Sequence, residues 1–168
     1  MKHLYFTRHG QSVMNKSGLF SGRTDTPLND EGKDQARQAG ASLKGISIDT
    51  IVASPMSRTI ETAQIIAEII GFPIEQIMTN HFFTERDFGP LEGTPYIADL
   101  GEVDGVETIE NVILRARRGM TFLRSLDADT ILLVSHGAMG RAIRHCVDEH
   151  IPYRPSKGFD NGVVVKLV

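Results

Sequence analysis

The chain has 168 residues, 40% of them hydrophobic, and a formal charge of −3. That is enough apolar material for one packed domain and too much for a disordered chain. The mild acidity excludes a general nucleic-acid or membrane-surface protein, which carries a basic excess, and the single Cys146 excludes an internal disulfide.

No run approaches the ~20 apolar residues of a membrane span. The apolar stretch after Lys2 is too short for a leader before it meets Arg8. The expectation is one domain over 1–168, in the cytoplasm, with neither membrane nor nucleic acid as partner and the oligomeric state left open.

In chain order, "LYF" (4–6) reads as a strand running straight into Arg8, His9 and Gly10. Asn29 or Asp30 caps a helix to about Leu43, with Gly45 as its stop. "TIVAS" (50–54) is a second strand. Ser54-Pro55 then reads as a helix start, because proline suits the first turn. Met56, Ile60, Ala63, Ala67 and Ile70 follow at helical spacing, and Gly71 ends the helix. "FPIEQIM" (72–78) suggests a weaker strand, and a long loop fills about 79–106. Thr108 opens a helix with Ile109, Val112, Ile113, Ala116 and Leu123 on one face. "TILLVS" (130–135) is a strand that ends at Ser135, His136 and Gly137. The last helix uses Ala138, Met139, Ala142, Ile143 and Val147, and "VVVKLV" (163–168) reads as a final strand. The apolar runs read as strands buried on both faces. Such alternation implies an α/β fold with a mostly parallel sheet, the last strand being a candidate antiparallel edge.

Ligands in open α/β sheets bind beyond the carboxyl ends of the strands. At those ends stand Arg8-His9-Gly10, then Ser54-Pro55 with Arg58 in the next helical turn, then Ser135-His136-Gly137. The glycines let the backbone turn and approach a ligand. The helix after Gly137 aims its first amides at the same mouth, which suits an anion. Two arginines, two histidines and helix amides make a site for a dianion such as phosphate. His3, His81, His145 and His150 read as structural. There is no HExxH motif, and Cys146 lies far from these segments, so no metal site is read.

The segments "TRHGQSVMN", "SGRTDTPLNDEGKDQA", "SPMSRTIETA", "TERDFGPLEG" and "VSHGAMGRAI" resemble, in order, those of the histidine phosphatase superfamily, in the branch of cofactor-dependent phosphoglycerate mutase and its phosphatase relatives. The resemblance implies a three-layer α/β/α sandwich and no metal or cofactor. It implies His9 as the nucleophile, Arg8, Arg58 and His136 as phosphoryl ligands with Asn15 assisting, and Glu85 as the proton donor. Gly22 and Gly137 fall on the binding surface implied by the same motifs. Glu85-Arg86 reproduces the acid-arginine pair with which the mutases hold a substrate carboxylate. Asp87 departs from that pattern, and a rim charge paired with Asp87 or Glu92 is the plainer reading of Arg86.

The chemistry asks for a neutral His9 with one ring nitrogen aimed at phosphorus and the other held by an acceptor, while His136 donates to the phosphoryl group. The stretch from Gly93 to the helix start is short, has no Lys or Arg, and carries Asp99, Glu102 and Asp104. An acidic, short cover is expected to repel a bisphosphate or a glycerate carboxylate and to admit water, which favours hydrolysis over mutase transfer. Tyr96, Phe83 and Phe88 are candidates for the leaving-group pocket. The basic run "RARRGM" reads as a solvated helix face. The expectation is a phosphatase acting on a small phosphorylated metabolite, with a phosphoprotein possible; a mutase and a non-catalytic phospho-ligand binder are the alternatives.

Overall fold

The computed structural model describes residues 1–97, 100–154 and 158–168. Its strands are β1 (His3–Arg8), β2 (Thr50–Ala53), β3 (Met78–Thr79), β4 (Thr130–Ser135) and β5 (Val164–Lys166). Its α-helices are α1 (Val13–Lys16), α2 (Asp30–Ser42), α3 (Ser57–Ile70), α4 (Ile109–Ser125) and α5 (Gly137–Val147). The sheet runs β3-β2-β4-β1-β5, parallel except for β5, which pairs antiparallel with β1.

Successive strand residues point to opposite faces, and the two sets enter two cores. Leu4, Phe6, Ile131 and Leu133 pack with Val112, Ala116 and Met120 of α4 and Met139, Ala142 and Ile143 of α5. Ile51, Ala53, Leu132 and Val134 pack with Ala39 of α2, its C-cap Leu43, and Ala63, Ile66 and Ala67 of α3. The result is the expected three-layer α/β/α sandwich.

Four local expectations differ from the fold. The weak strand at 72–78 is instead a 3₁₀ turn at Ile74–Gln76 followed by the two-residue β3, whose side chains are exposed at the sheet edge. The helix expected from Ser54-Pro55 starts later, at Ser57, because the carboxylate of Asp25 accepts the Ser57 amide at 3.0 Å and caps the helix from a distant loop. The long loop carries further 3₁₀ turns at His81–Phe83 and Gly89–Leu91, and β5 is only partly buried rather than covered on both faces.

Topology positions the site. The chain leaves β1, crosses to β2 and β3, and returns to insert β4 between β2 and β1. Arg8 is therefore in register with Ser135. The His9 amide donates to Ser135 O at 2.9 Å, and the Ser54 amide to Val134 O at 3.0 Å. Three strand exits thus open side by side at one end of the sheet.

Glycines seat α2 against the first exit. A Cβ on Gly32 would lie 2.1 Å from Gln11 O, and one on Gly10 would lie 2.1 Å from Gly32 O. Both contacts are to backbone, which cannot rotate away. Replacing Gly32 with Ala is expected to push α2 off the site and to lower stability by roughly 1–3 kcal/mol; urea unfolding of the variant checks this.

Candidate active site

His9 is buried at 2% exposure, and its Nδ1 lies 2.7 Å from Gly10 O. A carbonyl only accepts, so Nδ1 carries the proton and Nε2 keeps its lone pair. Arg58 Nε donates to that Nε2 at 3.2 Å. The other end of the guanidinium is anchored: Nη2 donates to Gly22 O at 2.8 Å and Nη1 to Thr24 O at 3.0 Å. Arg58 is fully buried, with Asp25 3.8 Å from Nη1. Gly22 has a φ of +49°, and a Cβ there would meet Glu92 Oε1 at 2.1 Å. Its carbonyl orients Arg58, a job its place in the sequence did not reveal.

His136 is buried beside His9, the ring centroids 5.2 Å apart and edge to face. Its Nε2 pairs with Ser54 Oγ at 2.8 Å, and its Nδ1 is buried with no protein partner among the described residues. Arg8 donates from Nη1 to Phe159 O at 3.2 Å, while its Nε is buried with no hydrogen-bond partner among the described residues. Burial first, then the charges of Arg58 and Arg8, push His9 well below the usual imidazole range. Burial and Arg58, then His9 and Arg8, do the same to His136. Both rings are therefore held neutral in this state of the site, by burial first and then by the same cations.

Glu85 sits at the N-terminus of α5. Its Oε2 accepts from the Ala138 amide at 3.2 Å, and its Oε1 from Met139 at 3.1 Å and from Arg86 at 2.9 Å. The helix amides expected to meet a substrate anion thus hold the carboxylate of the acid. Its backbone is fastened by Arg115, whose guanidinium donates to Glu85 O at 3.2 Å and to Thr84 O at 2.8 Å. Arg115 also makes a two-pronged pair with Glu107, both at 2.8 Å. Burial works against the Glu107 charge, but the bonds from Arg115 and the Asp87 amide outweigh it and hold the carboxyl below its usual range. This corrects the reading of "RARRGM" as a solvated face: Arg117 and Arg118 are exposed, but Arg115 points inward beneath the acid loop. Helical spacing alone carried no signal for that turn.

The clamp opens into a cavity of about 1070 Å³ lined by Arg8, His9, Asn15, Gly22, Arg58, Glu85 and Gly137, among others. Asn15 uses its Oδ1 to accept the Ser12 amide at 3.1 Å, closing a capping box at the start of α1. Phe88 and Tyr96 also line the cavity, whereas Phe83 is buried in the core beneath the loop. Arg86 is not part of the lining. It is neither at the rim nor paired with Asp87 or Glu92: it is 4% exposed, its Nε donates to Glu107 O at 2.7 Å, and its guanidinium lies 5.4 Å over the Phe88 ring. Asp87 is spent on the Gly89 amide, and Glu92 on Arg23, Thr24 and Phe88 amides. Asn161 went unnoticed in the sequence, yet its Nδ2 donates to His9 O at 2.7 Å and ties the last loop to the nucleophile's backbone. Asp99 of the acidic cover lies outside the described residues.

Two neutral buried histidines make stability depend on pH. The unfolded chain takes up protons below about pH 6.5, whereas the folded site resists them, so this stability is complete above that pH and is lost as pH falls toward the depressed folded values. By pH 5.5 the loss is expected to be on the order of 1 kcal/mol per histidine. Urea unfolding at pH 7.5 and 5.5 measures it, and His136→Gln is expected to halve the difference.

A family model described as the histidine phosphatase superfamily (branch 1) matches residues 4–167. The chain is 34% identical over 149 residues to the uncharacterized phosphatase PhoE of Bacillus subtilis (strain 168), covering 85% of this chain and 76% of that protein. It is 40% identical over 92 residues to a 2,3-bisphosphoglycerate-dependent phosphoglycerate mutase of Parvibaculum lavamentivorans, covering 54% of this chain and 44% of that one. A solved mycobacterial glucosyl-3-phosphoglycerate phosphatase in complex with VO3 matches with a TM-score of 0.86 at 22% identity, over 99% of this chain and 92% of that chain. That last likeness speaks for the fold. With a match running from the first strand to the last, the chain belongs to the histidine phosphatase superfamily, branch 1.

Proposed function

We propose that the protein is a phosphatase that hydrolyses the phosphate monoester of a small metabolite through a phosphohistidine on His9. One observation carries the reading: a buried imidazole has its Nδ1 proton given to Gly10 O and its Nε2 lone pair turned to a guanidinium clamp. In this reading residues 1–168 act as one catalytic domain, working in the cytoplasm. No described helix is long and apolar enough to cross a membrane.

In the first half-reaction Nε2 of His9 attacks phosphorus, and the bond from phosphorus to the ester oxygen breaks. Arg8 and Arg58 hold the phosphoryl oxygens, with His136 donating as charge builds and the Asn15 amide assisting. Arg58 Nε shifts from Nε2 to a phosphoryl oxygen, its Nη groups staying on Gly22 and Thr24. Glu85 gives a proton to the leaving alkoxide. In the second half it takes one from the water that attacks phosphohistidine, so phosphate leaves and Nε2 recovers its lone pair. Gly137 starts α5 beside Arg8, where a Cβ would make only ordinary contact, 3.6 Å from Arg8 Nε.

The cover favours hydrolysis over transfer to a second hydroxyl. Tyr96 and Ile97 are more than half exposed, though the Tyr96 ring lies 5.0 Å from that of Phe20, and Leu100 packs down against Phe20 and Phe88 with Val103 and Val106 beside it. Glu102 and Asp104 face solvent. Such a mouth admits water. A phosphate-release screen over monoesters, run beside 3-phosphoglycerate with and without its bisphosphate, tests the reading. Isomerisation faster than phosphate release would overturn it.

His9→Ala is expected to abolish turnover with the fold intact by circular dichroism, because the covalent route is lost. Glu85→Gln is expected to slow poor leaving groups by about 10²–10⁴-fold and p-nitrophenyl phosphate far less. Arg115→Met removes the donors to Thr84 O and one of the two guanidinium donors to Glu85 O, the 2.9 Å bond from Arg23 Nε remaining, and does not touch the clamp. Its kcat for alkyl esters is expected to drop at least about tenfold with KM little changed, p-nitrophenyl phosphate again being spared; a uniform loss on both substrates would assign Arg115 to stability alone.

A further inference from the structure

Ser54 directly follows β2, is fully buried, and has no task in the reaction above. Its backbone is pinned: the amide donates to Val134 O at 3.0 Å, and the carbonyl accepts from Thr59 Oγ1 at 2.7 Å. Its Oγ lies 2.8 Å from His136 Nε2, and no other described residue hydrogen-bonds to that oxygen. A hydroxyl has one proton to give, and a buried one needs an acceptor. The imidazole Nε2 is the acceptor within reach. If Nε2 carried a proton and donated it to Oγ, the hydroxyl's own hydrogen would be buried without a partner, which is costly.

The rest of the His136 ring agrees. Burial first, then the cations around it, hold His136 neutral, so the ring has one proton to place. With Nε2 accepting from Ser54, that proton belongs to Nδ1. His136 is the N-cap of α5, yet its side chain takes no bond from the helix amides, and those of Ala138 and Met139 go to Glu85. Nδ1 is buried with no protein partner among the described residues, and so is Nε of Arg8, whose charge acts on His136. A buried N–H of this kind awaits an acceptor, and a phosphoryl oxygen is one. His9 is turned the other way: its Nδ1 proton goes to Gly10 O, and its Nε2 offers the lone pair. The two rings thus carry their protons on the same nitrogen and present opposite ends to the phosphoryl group, one as nucleophile and one as donor.

Resting on the hydrolase reading, we propose that Ser54 is a positioning residue of the reaction: its hydroxyl donates to Nε2 of His136 and so keeps the ring proton on Nδ1, where it meets a phosphoryl oxygen.

Nitrogen-15 NMR of histidine-labelled protein at pH 7.5 tests this without turnover, the His136 signals being those lost in His136→Gln. In the wild type Nδ1 is expected to carry the proton and Nε2 to be bare. A protonated Nε2, alone or together with Nδ1, overturns the proposal, and this spectrum decides even where a substitution disturbs the core. In Ser54→Ala nothing holds Nε2 bare, so the proton is expected to move at least partly to Nε2. The kcat/KM is expected to fall roughly tenfold or more, equally for alkyl esters and p-nitrophenyl phosphate, because the lost donor serves the phosphoryl group and not the leaving group. Ser54→Thr keeps the hydroxyl and is expected to keep the Nδ1 proton and most of the rate. A Ser54→Ala protein that retains the Nδ1 proton refutes the role whatever its rate, and so does a shifted proton with an unchanged rate. If the wild type hydrolyses no ester, the hydrolase reading fails while the spectra still place the proton. Titration with inorganic phosphate then replaces the rate: weaker binding in Ser54→Ala supports the role and equal binding overturns it.

Discussion

A fully buried guanidinium that donates to the lone pair of a buried neutral imidazole is the contact around which this site is built. Burying Arg58 without compensation costs several kcal/mol, so every side of it must be satisfied. Gly22 O and Thr24 O take its Nη groups, Asp25 supplies a counter-charge, and His9 takes Nε. Burial foremost, and then the same cation, keep His9 from protonating. Gly10 O and Arg58 together orient the nucleophile, and Arg58 stands ready as an oxyanion ligand.

The loop that supplies those carbonyls is itself held from elsewhere. Asp25 caps α3, bonding the Ser57 amide and hydroxyl, which fixes the helix turn that carries Arg58. Glu92 receives the Arg23 and Thr24 amides and so ties the loop to the segment that carries Glu85. Beneath that segment the Arg115–Glu107 pair, largely screened from solvent at 17% and 12% side-chain exposure, braces the acid's backbone. Nucleophile, clamp and acid are thus linked through backbone hydrogen bonds, which suits a reaction whose catalysis is mostly positioning.

Much of this was legible in the residues. Apolar runs separated by helical periodicity marked β1, β2, β4, α2, α4 and α5, because burial on both faces of a parallel sheet leaves an almost purely apolar string. Arg8, His9, Ser54 and His136 were legible as a set, since strand ends are where such sheets place their ligands. Arg115 and Asn161 were not, because a helical arginine and a loop asparagine look alike whether they face solvent or a backbone carbonyl. Arg86 was misjudged for a related reason: its neighbours in sequence are acidic, but Asp87 and Glu92 had already been claimed by amides.

By itself, then, the sequence determined the alternation of strands and helices, the chemistry at the strand ends and the superfamily, all of which rest on local pattern and on short ordered segments. The tertiary structure decided which group holds each ring nitrogen, that the α5 amides go to Glu85, and that the Ser54 hydroxyl meets His136. These are outcomes of competition among many donors for few acceptors across separations such as the 152 residues between Asn161 and His9. Only the packed chain resolves that competition, because burial forces each polar group to find one particular partner.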